Sequence, residues 1–101
     1  MKKTPENIEK AAIKDYLNYQ GGCFYYPNTA GLGSKPGIPD ITAIIDGQVF
    51  QIEVKAGRGK QSPKQKEFQV DWERAGGIYI LGGLTEVINQ IKIWKTKTNK
   101  R

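Results

Sequence analysis

Asp40-Ile41-Thr42-Ala43-Ile44-Ile45-Asp46-Gly47-Gln48-Val49-Phe50-Gln51-Ile52-Glu53-Val54-Lys55 is a pair of apolar, β-branched runs separated by Asp-Gly. Such residues fit the half-buried surface of a sheet. Asp-Gly between them favours a two-residue hairpin turn, whose central residues both take positive φ. With Asp46 and Gly47 central, Ile45 faces Gln48, and each further pair steps outward until Asp40 lies opposite Glu53. Alternation then puts Asp40, Thr42 and Ile44 on the same face as Val49, Gln51, Glu53 and Lys55, with Ile52 and Val54 on the other. Two carboxylates whose β-carbons are about 5 Å apart repel by about 3 kcal/mol at an effective dielectric constant of about 20. A positive group is needed between them. Lys55 supplies one answer, as a salt-bridge cluster on an exposed sheet face. A divalent cation supplies the other, since Mg²⁺ takes one or two carboxylates with carbonyls and waters, and there polarises a phosphoryl oxygen and lowers the pKa of a bound water.

Outward from the hairpin, Thr4 and Pro5 read as N-cap and first turn of a helix that runs to Gln20 and stops at Gly21-Gly22. Ile8, Ala12, Ile13, Tyr16 and Leu17 form its apolar arc, and Glu9 falls near the middle. A carboxylate aimed at a core needs a cation, a donor or a proton. For Glu9 that partner is a metal-linked site or a Lys/Arg side chain, with Glu6 as the alternative acid at the edge of the arc. Cys23 to Tyr26 is a short aromatic strand, and the stretch from Pro27 to Pro39 is mostly loop. Ala56 to Lys60 is a basic, glycine-rich loop. Ser62 then opens a second helix, which ends at Ala75, and Gln65 completes a capping box. Gln65 also shares an inward stripe with Phe68 and Trp72. A buried strand, Ile78 to Leu81, precedes a last helix from about Thr85 to Trp94, with Val87, Ile88 and Ile91 on one face. The order is α-β-β-β-α-β-α, one α/β domain over residues 1–94 with a mixed sheet flanked by helices. Residues 95–101 are a basic tail, either a frayed end or an arm touching phosphate.

The chain has 101 residues, enough for one modest core. It lacks histidine and has one cysteine, which excludes a Cys/His zinc site, an intramolecular disulfide and a histidine-activated nucleophile. Any metal is therefore a hard, oxygen-seeking ion. A formal charge of +6 favours polyanionic partners. Neither a membrane span nor a signal peptide is expected, so the protein is expected to stay in the compartment that makes it, the cytoplasm.

Gly37-Ile38-Pro39-Asp40 followed by Gln51-Ile52-Glu53-Val54-Lys55 resembles the PD-(D/E)XK nuclease pattern, and Ser62-Pro63-Lys64-Gln65 resembles the VRR-NUC branch of that superfamily. The resemblance implies a restriction-endonuclease-like fold and a Mg²⁺- or Mn²⁺-dependent DNA endonuclease. Asp40, Glu53 and the Val54 carbonyl would hold the metal, Lys55 would orient the attacking water, and Glu9 would reach the metal, with water as one route. Gln65 matches the glutamine of the branch. Stand-alone members resemble Holliday-junction resolvases, which implies a homodimer acting on branched DNA, and a phage-encoded member would work in the host cytoplasm. Such a short chain would recognise DNA by shape and backbone charge, with Lys35, Arg58, Lys60 and Lys64 as phosphate contacts. Tyr25 and Tyr26 are either base-stacking residues or part of a core or dimer interface. A non-catalytic DNA-binding module of the same fold is the competing reading.

Overall fold

The computed structural model describes residues 4–99. Its elements are α1 (Pro5–Asn18), β1 (Cys23–Pro27), β2 (Ile41–Ile45), β3 (Gln48–Val54), α2 (Pro63–Arg74), β4 (Ile78–Gly82) and α3 (Leu84–Asn99). The expected element order is the observed one.

The hairpin forms in the register that the Asp-Gly turn dictates. Pairs run from Ile45↔Gln48 to Ile41↔Ile52, and Asp46 (φ 47°) and Gly47 (φ 88°) both take positive φ, the geometry that matches the twist of the flanking strands. β1 adds to β2 antiparallel, and β4 adds to β3 parallel. The sheet is thus mixed, in the order β1-β2-β3-β4. β3 is interior, and all five residues from Phe50 to Val54 are buried, so this strand is covered on both faces.

One face carries the core. Ile41, Ala43 and Ile45 of β2, Phe50, Ile52 and Val54 of β3, and Ile80 of β4 pack against Ile13 and Leu17 of α1 and Val87 and Ile91 of α3. Trp94 meets Phe50 edge-on at 5.3 Å between ring centroids. The other face is polar beneath α2, which leans on β4 through Phe68 against Tyr79 (6.4 Å between centroids) and through the Trp72 indole N–H donating to the Ile78 carbonyl (3.0 Å).

Two expectations shift. Ile8 is exposed, so the buried stripe of α1 is centred on Ile13 and Leu17, and Glu6, Glu9 and Lys10 rather than Ile8 turn partly inward. The last helix does not end at Trp94. Thr96 and Thr98 donate their hydroxyls to the carbonyls of Lys92 and Trp94 (both 2.9 Å), and the Lys95 ammonium donates to Gln20 Oε1 (2.7 Å). The helix runs through Asn99; the last two residues of the basic tail lie outside the described residues. Among the described residues no helix is long and apolar enough to cross a membrane.

Candidate active site

β2 and β3 bring the three expected residues together, but by a different route from simple pairing. The ladder stops at Ile41↔Ile52. Asp40 is a bend just before β2, with its N–H donating to the Ile52 carbonyl (3.0 Å). Asp40 and Glu53 are therefore not ladder partners. Instead the Asp40 side chain crosses to the end of β3 and accepts the Val54 N–H at Oδ2 (2.8 Å).

Glu53 is 4% exposed. Its Oε2 lies 3.6 Å from the Lys55 ammonium, and its Oε1 is buried with no hydrogen-bond partner among the described residues. Burial, and then the charge of Asp40, push its carboxyl up to about 7, with Lys55 pulling the other way. Lys55 is thus an incomplete neutraliser. A second lysine helps: Lys10 of α1 lies 3.3 Å from Asp40 Oδ1. The sequence argument overlooked Lys10, although it stands three and seven residues before Ile13 and Leu17 on the stripe that α1 buries. An orphaned, buried carboxylate oxygen beside a second carboxylate is a feature that calls for an ion or ordered water. The donor set is all oxygen and suits a hard divalent cation.

Glu9 is placed elsewhere. Its Oε1 accepts the Leu84 N–H (2.6 Å), while Glu86 Oε1 accepts the Gly83 N–H (2.7 Å). Gly83, which has no side chain to cap with, precedes α3, so two carboxylates take the first free amides and complement the helix dipole. Among the described residues no group of three His, Cys, Asp or Glu is close enough to hold a metal, and the hydrogen bond Glu9 makes is to the start of α3. Glu6 lines a hollow with Thr4, Pro5 and Ala56, beside the chain that leaves Lys55.

Gln65 forms the capping box: Ser62 N–H donates to Gln65 Oε1 (2.8 Å) and Gln65 N–H to Ser62 Oγ (3.2 Å). Gln61 takes the inward role instead, donating to the hydroxyl of Tyr79 (3.1 Å) and to Gln69 Oε1 (2.9 Å). Tyr79 is 7% exposed, and its hydroxyl pKa is raised by burial, against the Gln61 bond, with the negative charges of Glu53 and Asp40 adding to the rise. The sequence reading saw Tyr79 only as part of a buried strand.

Lys35, Arg58, Lys60 and Lys64 are all exposed, on the two loops that lead into Asp40 and out of Lys55 and on the first turn of α2. Gly37 joins these loops to α2: at φ +73°, its position leaves 2.2 Å between an added Cβ and the Lys64 carbonyl oxygen. Tyr25 packs against the core and donates its hydroxyl to Asn18 (3.1 Å). Tyr26 is half-exposed beside Phe24, at 6.0 Å between centroids.

No family model matches the sequence, and no curated protein matches it. Among solved structures, one described as "VRR_NUC domain protein" superposes with a TM-score of 0.71 at 23% identity, covering 90% of this chain and 88% of that one. The chain therefore has the mixed four-stranded, three-helix fold of a VRR_NUC domain protein.

Proposed function

We propose that this chain with the VRR_NUC fold is a VRR-NUC nuclease domain, a Mg²⁺- or Mn²⁺-dependent endonuclease that hydrolyses phosphodiester bonds of branched DNA. The observation that carries the reading is the buried, unpartnered Oε1 of Glu53 next to Asp40. A structural salt bridge would leave both acids satisfied. Here two lysines and a backbone amide leave one oxygen without a partner.

Asp40, Glu53 and the Val54 carbonyl are the proposed ligands. When bound, the ion supplies charge neutralisation at a phosphoryl oxygen and a lowered pKa for an attacking water. Asp40 is aimed by the Val54 N–H, and a bound cation would supply the positive charge that burial and the neighbouring Asp40 leave Glu53 in need of. Lys55, its side chain 19% exposed beside Glu53, is the proposed group that orients the water and donates to a phosphate oxygen. Lys10 balances Asp40 until substrate or ion arrives. Glu9 and Gln65 act at a remove, by fixing the starts of α3 and α2. Lys35, Arg58, Lys60 and Lys64 form the surface for DNA phosphates, a contact that reads shape and charge rather than sequence. A homodimer would present two such sites to a junction, in the cytoplasm of the producing or infected cell.

The test is cleavage of a four-way junction, a flap, a nicked duplex and a linear duplex with Mg²⁺ or Mn²⁺. Cutting of the branched substrates, lost in Asp40→Ala, Glu53→Ala and Lys55→Ala with binding retained, is expected. If all substrates stay intact with both metals while salt-sensitive binding persists, the chain is a DNA-binding module that keeps the nuclease fold.

A further inference from the structure

Three side chains on the Glu53 face close a ring of hydrogen bonds. The Thr42 hydroxyl donates to Asn28 Oδ1 (2.8 Å), the Gln51 amide donates to Thr42 Oγ1 (2.9 Å), and the Asn28 amide donates to Gln51 Oε1 (3.1 Å). Each member donates once to the next and accepts once from the one before. Asn28 goes further. Its amide also donates to the Pro39 carbonyl (3.1 Å), and its backbone N–H donates to the Asp40 carbonyl (2.8 Å).

The peptides on both sides of Asp40 are thus gripped by one residue. This matters because Asp40 has left the β2–β3 ladder, so regular pairing no longer fixes its backbone beyond a single bond to Ile52. On the other side of the ring, Gln51 is 5% exposed and stands two residues before Glu53 on the same face of β3. Polar groups in such a place are tolerated only when all are satisfied, and simple packing would be served as well by apolar side chains of similar volume.

We infer that Asn28, Thr42 and Gln51 are positioning residues that set Asp40 against Glu53 and thereby the affinity of the proposed site for a hard divalent cation. The inference rests on the proposed cation site. Partners that orient metal ligands from behind are worth about 10- to 100-fold in metal affinity or activity, and the ring occupies that position for Asp40.

Thr42→Val keeps the shape and the β-branch and removes the hydroxyl that both donates to Asn28 and accepts from Gln51. Thr42→Ser restores it. Asn28→Ser, which keeps the backbone donor and loses the side-chain amide, is the second variant should Thr42→Val fail to fold. Two readouts are taken on the full chain. Free Mn²⁺ measured by EPR gives the half-saturation, and NMR hydrogen exchange without metal follows the Val54 amide, which Asp40 accepts, relative to Phe50 in the same strand. In folded Thr42→Val or Asn28→Ser the Mn²⁺ half-saturation rises about tenfold and Val54 exchanges at least about tenfold faster relative to Phe50, while Thr42→Ser stays near the parent. Unchanged Val54 exchange and Mn²⁺ binding in the folded variants overturn the inference. If the parent binds no Mn²⁺ yet Val54 responds, the cation reading falls and the positioning of Asp40 by the ring stands.

Discussion

Raising the pH in the absence of metal destabilises the protein through Glu53, and the size of the effect follows from the site. Its carboxyl is lifted from an ordinary 4.5 to about 7, first by burial, next by the charge of Asp40, with Lys55 opposing. The folded state therefore holds the proton more tightly than the unfolded chain does. Below about 4.5 the group is protonated in both states and costs nothing. As the pH rises through the window from 4.5 to 7, the unfolded chain releases the proton freely, whereas the folded one must bury a charge, and stability falls until it levels off above 7. At about 1.4 kcal/mol per pH unit the full loss is roughly 3 kcal/mol, a large share of the 5–15 kcal/mol typical of a domain. Most of it falls between pH 5 and pH 8. Urea denaturation at those two pH values with a chelator present measures it, and Glu53→Gln, which cannot ionise, serves as the internal reference. The parent loses roughly 2–3 kcal/mol more than Glu53→Gln across that interval, and Mn²⁺ added at pH 8 returns the difference by binding the folded state alone. A parent whose pH dependence matches that of Glu53→Gln would refute the assignment of Glu53 as a buried, underpaired carboxyl.

Lys10→Met tightens Mn²⁺ binding by up to about fivefold in calorimetry, because a pair whose side chains are 32% and 26% exposed is worth at most about 1 kcal/mol and its loss frees Asp40. Gly37→Ala costs more than about 2 kcal/mol in urea denaturation, since it combines a left-handed backbone with a Cβ at 2.2 Å from the Lys64 carbonyl oxygen. Glu9→Ala lowers stability by about 1 kcal/mol and speeds amide exchange in the first turn of α3, the expected cost of a lost cap; Glu6→Ala, which makes no such bond, leaves the α3 amides as they are.

The hairpin was legible because its determinants are local: Asp46-Gly47 fixes the turn, and β-branched alternation fixes which residues share a face. The same locality gave the capping box of Ser62 and Gln65 and placed Asp40, Glu53 and Lys55 in one patch. What escaped the sequence depends on the ends of elements. Regular pairing predicts Asp40 opposite Glu53, whereas the chain bends one residue earlier and reaches Glu53 through the Val54 amide. Glu9 was rightly turned inward, but its partner lies 75 residues away at the start of a helix whose N-cap is a glycine. Lys10 was hidden because the buried stripe of α1 is rotated from the one that Ile8 suggested. Asn28, in a loop rich in proline and glycine, had no periodic signal, and its partners are 11, 14 and 23 residues distant.

The grip of Glu9 on Leu84 has a consequence for how the chain is made. The bond ties the first helix to the first turn of the last one, and Lys95 to Gln20 repeats the tie farther along. During synthesis the β-ribbon around Asp46-Gly47 can pair as soon as it leaves the ribosome, but α1 must wait for Leu84 before its acid finds a donor. Folding of this domain is therefore completed only after Leu84 has left the ribosome, and a nascent chain stalled before Leu84 carries α1 with its carboxylate still in water.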